Sequence, residues 1–181
     1  MGRLKGSCCY LSGSIDASPD LGSSWRDKIT PLLNDYGVQV YNPLKKPLAM
    51  PCETEFRGER VWWKQEGRYE KLATYMKYIR HIDLRLCDRS DFCVAYLDNT
   101  IQACGTWEEV FTINRQYKPC LVVCKQGKQA IPDWLFGVLP VQFLMGSFDE
   151  LFEYLDYVDK AEGEDFTDLG RWVFLEQGVQ L

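Results

Sequence analysis

The run Ala103-Cys104-Gly105-Thr106-Trp107-Glu108-Glu109 follows an apolar segment over 91–96 and a loop that opens with Asp98-Asn99. That order sets a carboxylate near the start of a helix just beyond a strand, the edge at which open α/β sheets bind small molecules. Glu109 is therefore a candidate nucleophile or general base. The same spacing, Thr106-x-x-Glu109, also fits a capping box, in which both side chains satisfy amides of a first helical turn. Cys104 is a less favoured nucleophile, resting on the lowered pKa of a thiol at a helix start.

Two more groups carry chemistry. Cys9-Tyr10-Leu11-Ser12-Gly13-Ser14-Ile15 reads as a buried strand running into a Gly/Ser turn, followed by a helix over 24–36 whose apolar face is Trp25, Ile29, Leu32, Leu33 and Tyr36. A second helix over 69–86 carries Leu72, Met76, Ile79 and Leu86 on one stripe, and Asp83 falls on that stripe. A carboxylate among core-facing positions is costly unless paired. Asp83 therefore meets a local partner such as Arg80 or opens into a ligand pocket. His81, the single histidine, lies on another face and reads as structural or exposed.

Taken in order, these segments resemble the nucleoside 2-deoxyribosyltransferase superfamily, including its hydrolase branch, the nucleoside 5′-monophosphate N-glycosidases, over approximately 10–123. The resemblance implies that Tyr10, Gly13 and Ser14 line the pocket, that Asp83 holds the sugar, and that Glu109, in a turn with Gly105, is the nucleophile. Tyr10 would position that carboxylate or the sugar. Ser12, Ser14 and the Gly13 amide would receive a 5′-hydroxyl or 5′-phosphate. Transferase members often carry an Asp six residues before the nucleophile, where this chain has Ala103; Asp98 or Asn99 is expected to substitute, with Asp98 assisting protonation of the base.

The implied activity is cleavage of the N-glycosidic bond of a (deoxy)nucleoside or nucleoside 5′-monophosphate, by base exchange or by hydrolysis, with no cofactor and no metal. Glycosidases use carboxylates in the same way. The family commonly completes its pocket from a neighbouring subunit, which implies a homo-oligomer, most simply a two-fold dimer. Two other classes remain open. One is a non-catalytic nucleotide-binding or sensing module; the other is an interaction protein using Trp62, Trp63, Trp172 and Phe174.

Composition bounds these readings. At 181 residues and 46% hydrophobic, the chain suits one α/β domain. A net charge of −5 disfavours long nucleic acid. No apolar run of about 18 residues suggests a membrane span, and the first residues do not read as a signal peptide. Eight cysteines, several inside apolar runs, fit the reducing cytoplasm. Without a Cys-x-x-Cys pair and with one histidine, a zinc site is not expected.

The elements that must position the site read as alternating strands and helices. They predict a flavodoxin-like three-layer α/β sandwich with a five-stranded parallel sheet of order 2-1-3-4-5. Strands are expected at 9–15, 38–41, 91–96, 119–124 and 141–145, a short helix at 131–139, and an amphipathic helix at 148–160. Residues 1–160 form the domain. An insertion over 44–67, without clean periodicity, is expected to roof the pocket, with Trp62 or Trp63 stacking on a base. The local mix of Lys45, Lys46, Arg57, Arg60, Lys64, Arg68 and Lys71 among interspersed glutamates reads as solvated surface more readily than as a site for a small phosphorylated ligand. Residues 161–181 form an extension whose apolar end, around Trp172, needs cover from the domain or a neighbouring subunit.

Overall fold

The computed structural model describes residues 2–46, 51, 54–161 and 170–178. Five strands, β1 Cys8–Gly13, β2 Gln39–Tyr41, β3 Phe92–Leu97, β4 Cys120–Cys124 and β5 Leu144–Met145, form one sheet of order 2-1-3-4-5. Every pairing is parallel. Parallel neighbours cannot be joined by tight hairpins and need crossover connections. Helices α1 Ser23–Asp35, α2 Arg57–Gln65, α3 Tyr69–Arg89, α4 Cys104–Arg115, α5 Asp133–Phe136 and α6 Phe148–Lys160 lie along those connections and after β5.

The strand period of two divides the core into two sheets of side chains. Cys9 and Leu11 of β1, with Phe92 and Val94 of β3, face Trp25, Ile29 and Leu33 of α1 and Leu151, Leu155 and Val158 of α6. Tyr10 of β1, with Cys93 and Ala95 of β3, faces Cys87 of α3 and Val110 and Ile113 of α4. The central strands are buried on both faces and read as continuous apolar runs for that reason. The expected three-layer arrangement and strand order are those observed.

Three expectations change. The run 141–145 is a strand only at Leu144–Met145, because Pro140, with φ −55°, opens a 3-10 turn over Val141–Phe143. The segment 131–139 shortens to α5, which Gly137 ends. The insertion contains a regular helix, α2, tied down by Arg60, whose two terminal nitrogens each lie 2.7 Å from the Asp16 carboxylate. Its residues 47–50 and 52–53 lie outside the described residues.

Near the carboxyl end, Trp172 is fully buried in its own chain. Its ring packs against Phe92, Tyr154 and Phe174, and its indole N–H donates to the Tyr154 hydroxyl at 2.9 Å. A second subunit is not needed to cover this side chain. Much of the acidic stretch before it, 162–169, lies outside the described residues. No helix among the described residues is long and apolar enough to cross a membrane.

Candidate active site

Helix α4 begins after Ala103, whose carbonyl accepts from the Trp107 amide. Thr106 is therefore the third helical residue, not the cap, and Glu109 belongs to the second turn. The capping-box reading fails on that register. Instead, Glu109 reaches across to β1, where the Tyr10 hydroxyl donates to Oε1 at 2.7 Å and the Ser12 hydroxyl donates to Oε2 at 2.5 Å. Residues i and i+2 of a strand share a face. That face of β1 looks at α3 and α4, so both hydroxyls converge on one carboxylate.

Asp83 of α3 is buried, and its partner is not Arg80. Arg80 forks onto Glu108 at the surface, with Nε 2.7 Å from Oε2. The Asp83 carboxylate pairs with Lys46, Nζ to Oδ1 2.7 Å, with the Lys46 side chain 1% and the Asp83 side chain 5% exposed. Lys46 follows β2, and its position inside the molecule corrects its reading as surface. No local signal distinguishes it from Lys45 next to it, which is exposed and pairs with Asp27. Arg26 of α1 carries no local signal of its role either. It is fully buried and donates to the carbonyls of Gly22, Gly13 and Leu11, fixing the turn after β1.

Asp83 and Glu109 border a cavity of about 730 Å³ beyond the carboxyl ends of β1 and β3. Gly13, Ser14 and Asp16 form one side, Asp83 and Met76 of α3 another, and Gly105, Thr106 and Glu109 of α4 a third. A Cβ on Gly13 would lie 2.8 Å from the Trp25 ring, so close packing there requires glycine. A Cβ on Gly105, which also lines the cavity, would meet nothing within 4 Å. Tyr10 and Ser12, expected to line the pocket, are not among its lining residues and contact Glu109 instead.

Asp98 and Asn99 do not line the cavity. Asp98 accepts from Lys125, Thr100 and Gln126, and Asn99 donates to the Ala130 carbonyl. The Lys125 hydrogen bond, then that of Thr100, hold the Asp98 carboxyl well below the usual range. A carboxylate so stabilised is a poor proton donor at neutral pH. The expected replacement for the missing acid at Ala103 therefore does not arise from this loop.

Neither tryptophan of the insertion reaches the cavity. Trp63 is buried against Tyr75 beneath Lys71, and Trp62 lies under Arg68. Lys64, the residue after Trp63, is the α2 residue that lines it. Cys104 is exposed at the rim, and His81 is exposed on α3.

The electrostatics follow from burial. Desolvation pushes the Glu109 carboxyl up to about 7; the Ser12 and Tyr10 hydroxyls and the Arg26 charge pull it down, while the Asp83 charge adds to the rise. Asp83 is also raised by burial, with Lys46 and Arg26 opposing. Burial and the two carboxylates push Tyr10 well up, so its phenol remains a donor. A carboxylate poised near neutrality in a cleft is the arrangement that supports nucleophilic or general-base chemistry.

Fold and site together define a doubly wound α/β protein with a carboxylate-centred cavity at the carboxyl edge of its sheet. The sequence matches no family model and none of the curated proteins. Among solved structures, a 2-deoxyribosyltransferase from Bacillus psychrosaccharolyticus is similar with a TM-score of 0.51 at 17% identity, over 74% of this chain and 82% of that chain. A 2-desoxiribosyltransferase from Leishmania mexicana is similar with a TM-score of 0.46 at 14% identity, over 96% and 99% of the two chains. The likeness to the Bacillus enzyme is one of fold.

Proposed function

We propose that this chain cleaves the N-glycosidic bond of a nucleoside, deoxynucleoside or their 5′-monophosphates, with Glu109 as nucleophile. The observation that carries the reading is the clamp on Glu109, one hydroxyl from Tyr10 and one from Ser12, at the floor of a cavity it shares with Asp83. Sharing a fold with a 2-deoxyribosyltransferase supports it.

Glu109 attacks C1′ as the C1′–N bond breaks, and the bond's electron pair leaves with the base, which takes up a proton. The carboxylate thus replaces nitrogen on an electron-poor carbon. Water or a second base then attacks C1′ and frees Glu109. Asp83 accepts hydrogen bonds from the sugar, and the turn at Gly13 and Ser14 receives its 5′ end. With Asp98 turned away, the leaving base draws its proton from a group other than Asp98.

The test is a chromatographic screen of nucleosides and their monophosphates, each with and without an added free base. Base released without an acceptor identifies a hydrolase, and exchange alone identifies a transferase. Glu109→Ala is expected to lower turnover by roughly four orders of magnitude or more while the protein stays folded. Retained turnover in that variant overturns the nucleophile. Nucleotide binding in calorimetry with no base release over hours overturns catalysis in favour of a binding module.

A further inference from the structure

Lys46 has no place in the activity derived so far, yet it occupies one of the most expensive positions in the molecule. Its ammonium is buried with the Asp83 carboxylate. Removing both charges from water is recovered only by close mutual geometry, and an apolar pair of similar volume commonly serves stability as well or better. Lys46 does not line the cavity, whereas Asp83 does. Oδ1 of Asp83 is the buried oxygen that pairs with Lys46, while the residue also lines the cavity.

We propose that Lys46 is a positioning residue acting through Asp83, holding that carboxylate ionised and oriented with one oxygen toward the cavity as the acceptor of a ligand hydroxyl. The ligand's identity as a sugar rests on the function proposed above. Asp83 pairs directly with Lys46, and its charge is coupled to Arg26 of α1, Tyr10 of β1, Glu109 of α4 and Cys87 of its own helix, with Arg80 of α3 lining the same cavity. Lys46 and Arg26 favour its charge, and Glu109 opposes it when ionised. Without Lys46, burial drives Asp83 to its neutral form. Glu109, relieved of a neighbouring negative charge, then ionises at lower pH.

Opposite movements of two carboxyls distinguish positioning from simple support of the fold. The experiment is a ¹³C NMR titration of the side-chain carboxyls in the full chain, assigned with Asp83→Asn and Glu109→Gln. In the unaltered protein Asp83 is expected to be ionised at pH 7; a protonated Asp83 there overturns the proposal with no variant needed. In Lys46→Met the Asp83 titration is expected to rise by about one pH unit or more, and that of Glu109 to fall. Lys46→Arg should return both toward their original positions. KM for the preferred substrate is expected to rise roughly tenfold in Lys46→Met, about what the loss of one charged hydrogen-bond acceptor costs. An unmoved Asp83 titration in folded Lys46→Met overturns the proposal, and Lys46→Gln is read in the same way if the methionine variant does not fold. Turnover retained by Glu109→Ala would defeat the nucleophile while leaving this titration intact. An inactive Glu109→Ala beside an unmoved Asp83 would defeat Lys46 alone.

Discussion

Glu109 carries two opposing demands, since burial favours its neutral acid and nucleophilic attack needs its anion. Because the carboxyl sits at about 7, the rate should climb with pH on an acid limb centred near 7. Ser12 and Tyr10 donate to the ionised form and lower that value, with Ser12 the larger influence. Ser12→Ala and Tyr10→Phe should both move the limb to higher pH, Ser12→Ala further. A pH–rate series on the three proteins checks this, and a limb that stays put removes the clamp from the mechanism. The same group links to stability. Its folded pKa lies above the ordinary 4.5, so the native state binds the extra proton between those values. Stability from this residue is present below about 4.5 and is lost as pH rises through 7. Glu109→Gln should therefore match the unaltered protein in unfolding free energy near pH 4.5 and exceed it above pH 7, by on the order of 3 kcal/mol. A difference that does not change with pH contradicts the burial argument.

At the scale of elements, α2 decides how the insertion serves the site. The helix turns Trp63 inward against Tyr75, leaves Trp62 half-exposed under Arg68, and aims Lys64 at the cavity. Arg60 fastens it to Asp16 in the turn after β1, the turn that also presents Gly13 and Ser14. Trp63→Ala should cost about 3 kcal/mol through the cavity it leaves, whereas Trp62→Ala should stay within about 0.5 kcal/mol. Trp62→Ala should also leave KM unchanged. Denaturant melts and substrate titrations separate these outcomes, and a raised KM in Trp62→Ala would return that ring to the ligand.

The whole molecule closes one of its cores with a residue near the carboxyl end of the chain. Trp172 inserts beside Phe92 of the central strand β3 and donates to Tyr154 of α6, joining the end of the chain to its middle. Trp172→Ala removes a fully buried indole and its hydrogen bond to Tyr154, and it should destabilise the fold by about 3 to 5 kcal/mol. Thermal unfolding at a fixed protein concentration measures this. A shift within error would mean that the segment packs without contributing.

The strand order and the three layers were legible in the sequence from its alternating strand and helix patterns, whereas the grouping of Tyr10, Asp83 and Glu109 was expected from the family resemblance. Alternation put Tyr10 and Ser12 on one face of β1, helical spacing put Asp83 on the inner stripe of α3, and α/β topology gathers strand ends at one edge. Register at element ends was less legible. The difference between a capping box and a second-turn nucleophile is three residues of helix start, and both patterns share one spelling. Charge pairing was not legible at all. Lys46 reaches Asp83, Arg60 reaches Asp16 and Asp98 turns to Lys125 across long stretches of sequence. Nothing in a lysine's immediate neighbours records which distant carboxylate will share its burial. Periodicity is written residue by residue along the chain, whereas the partner of a buried charge exists only once the chain has folded.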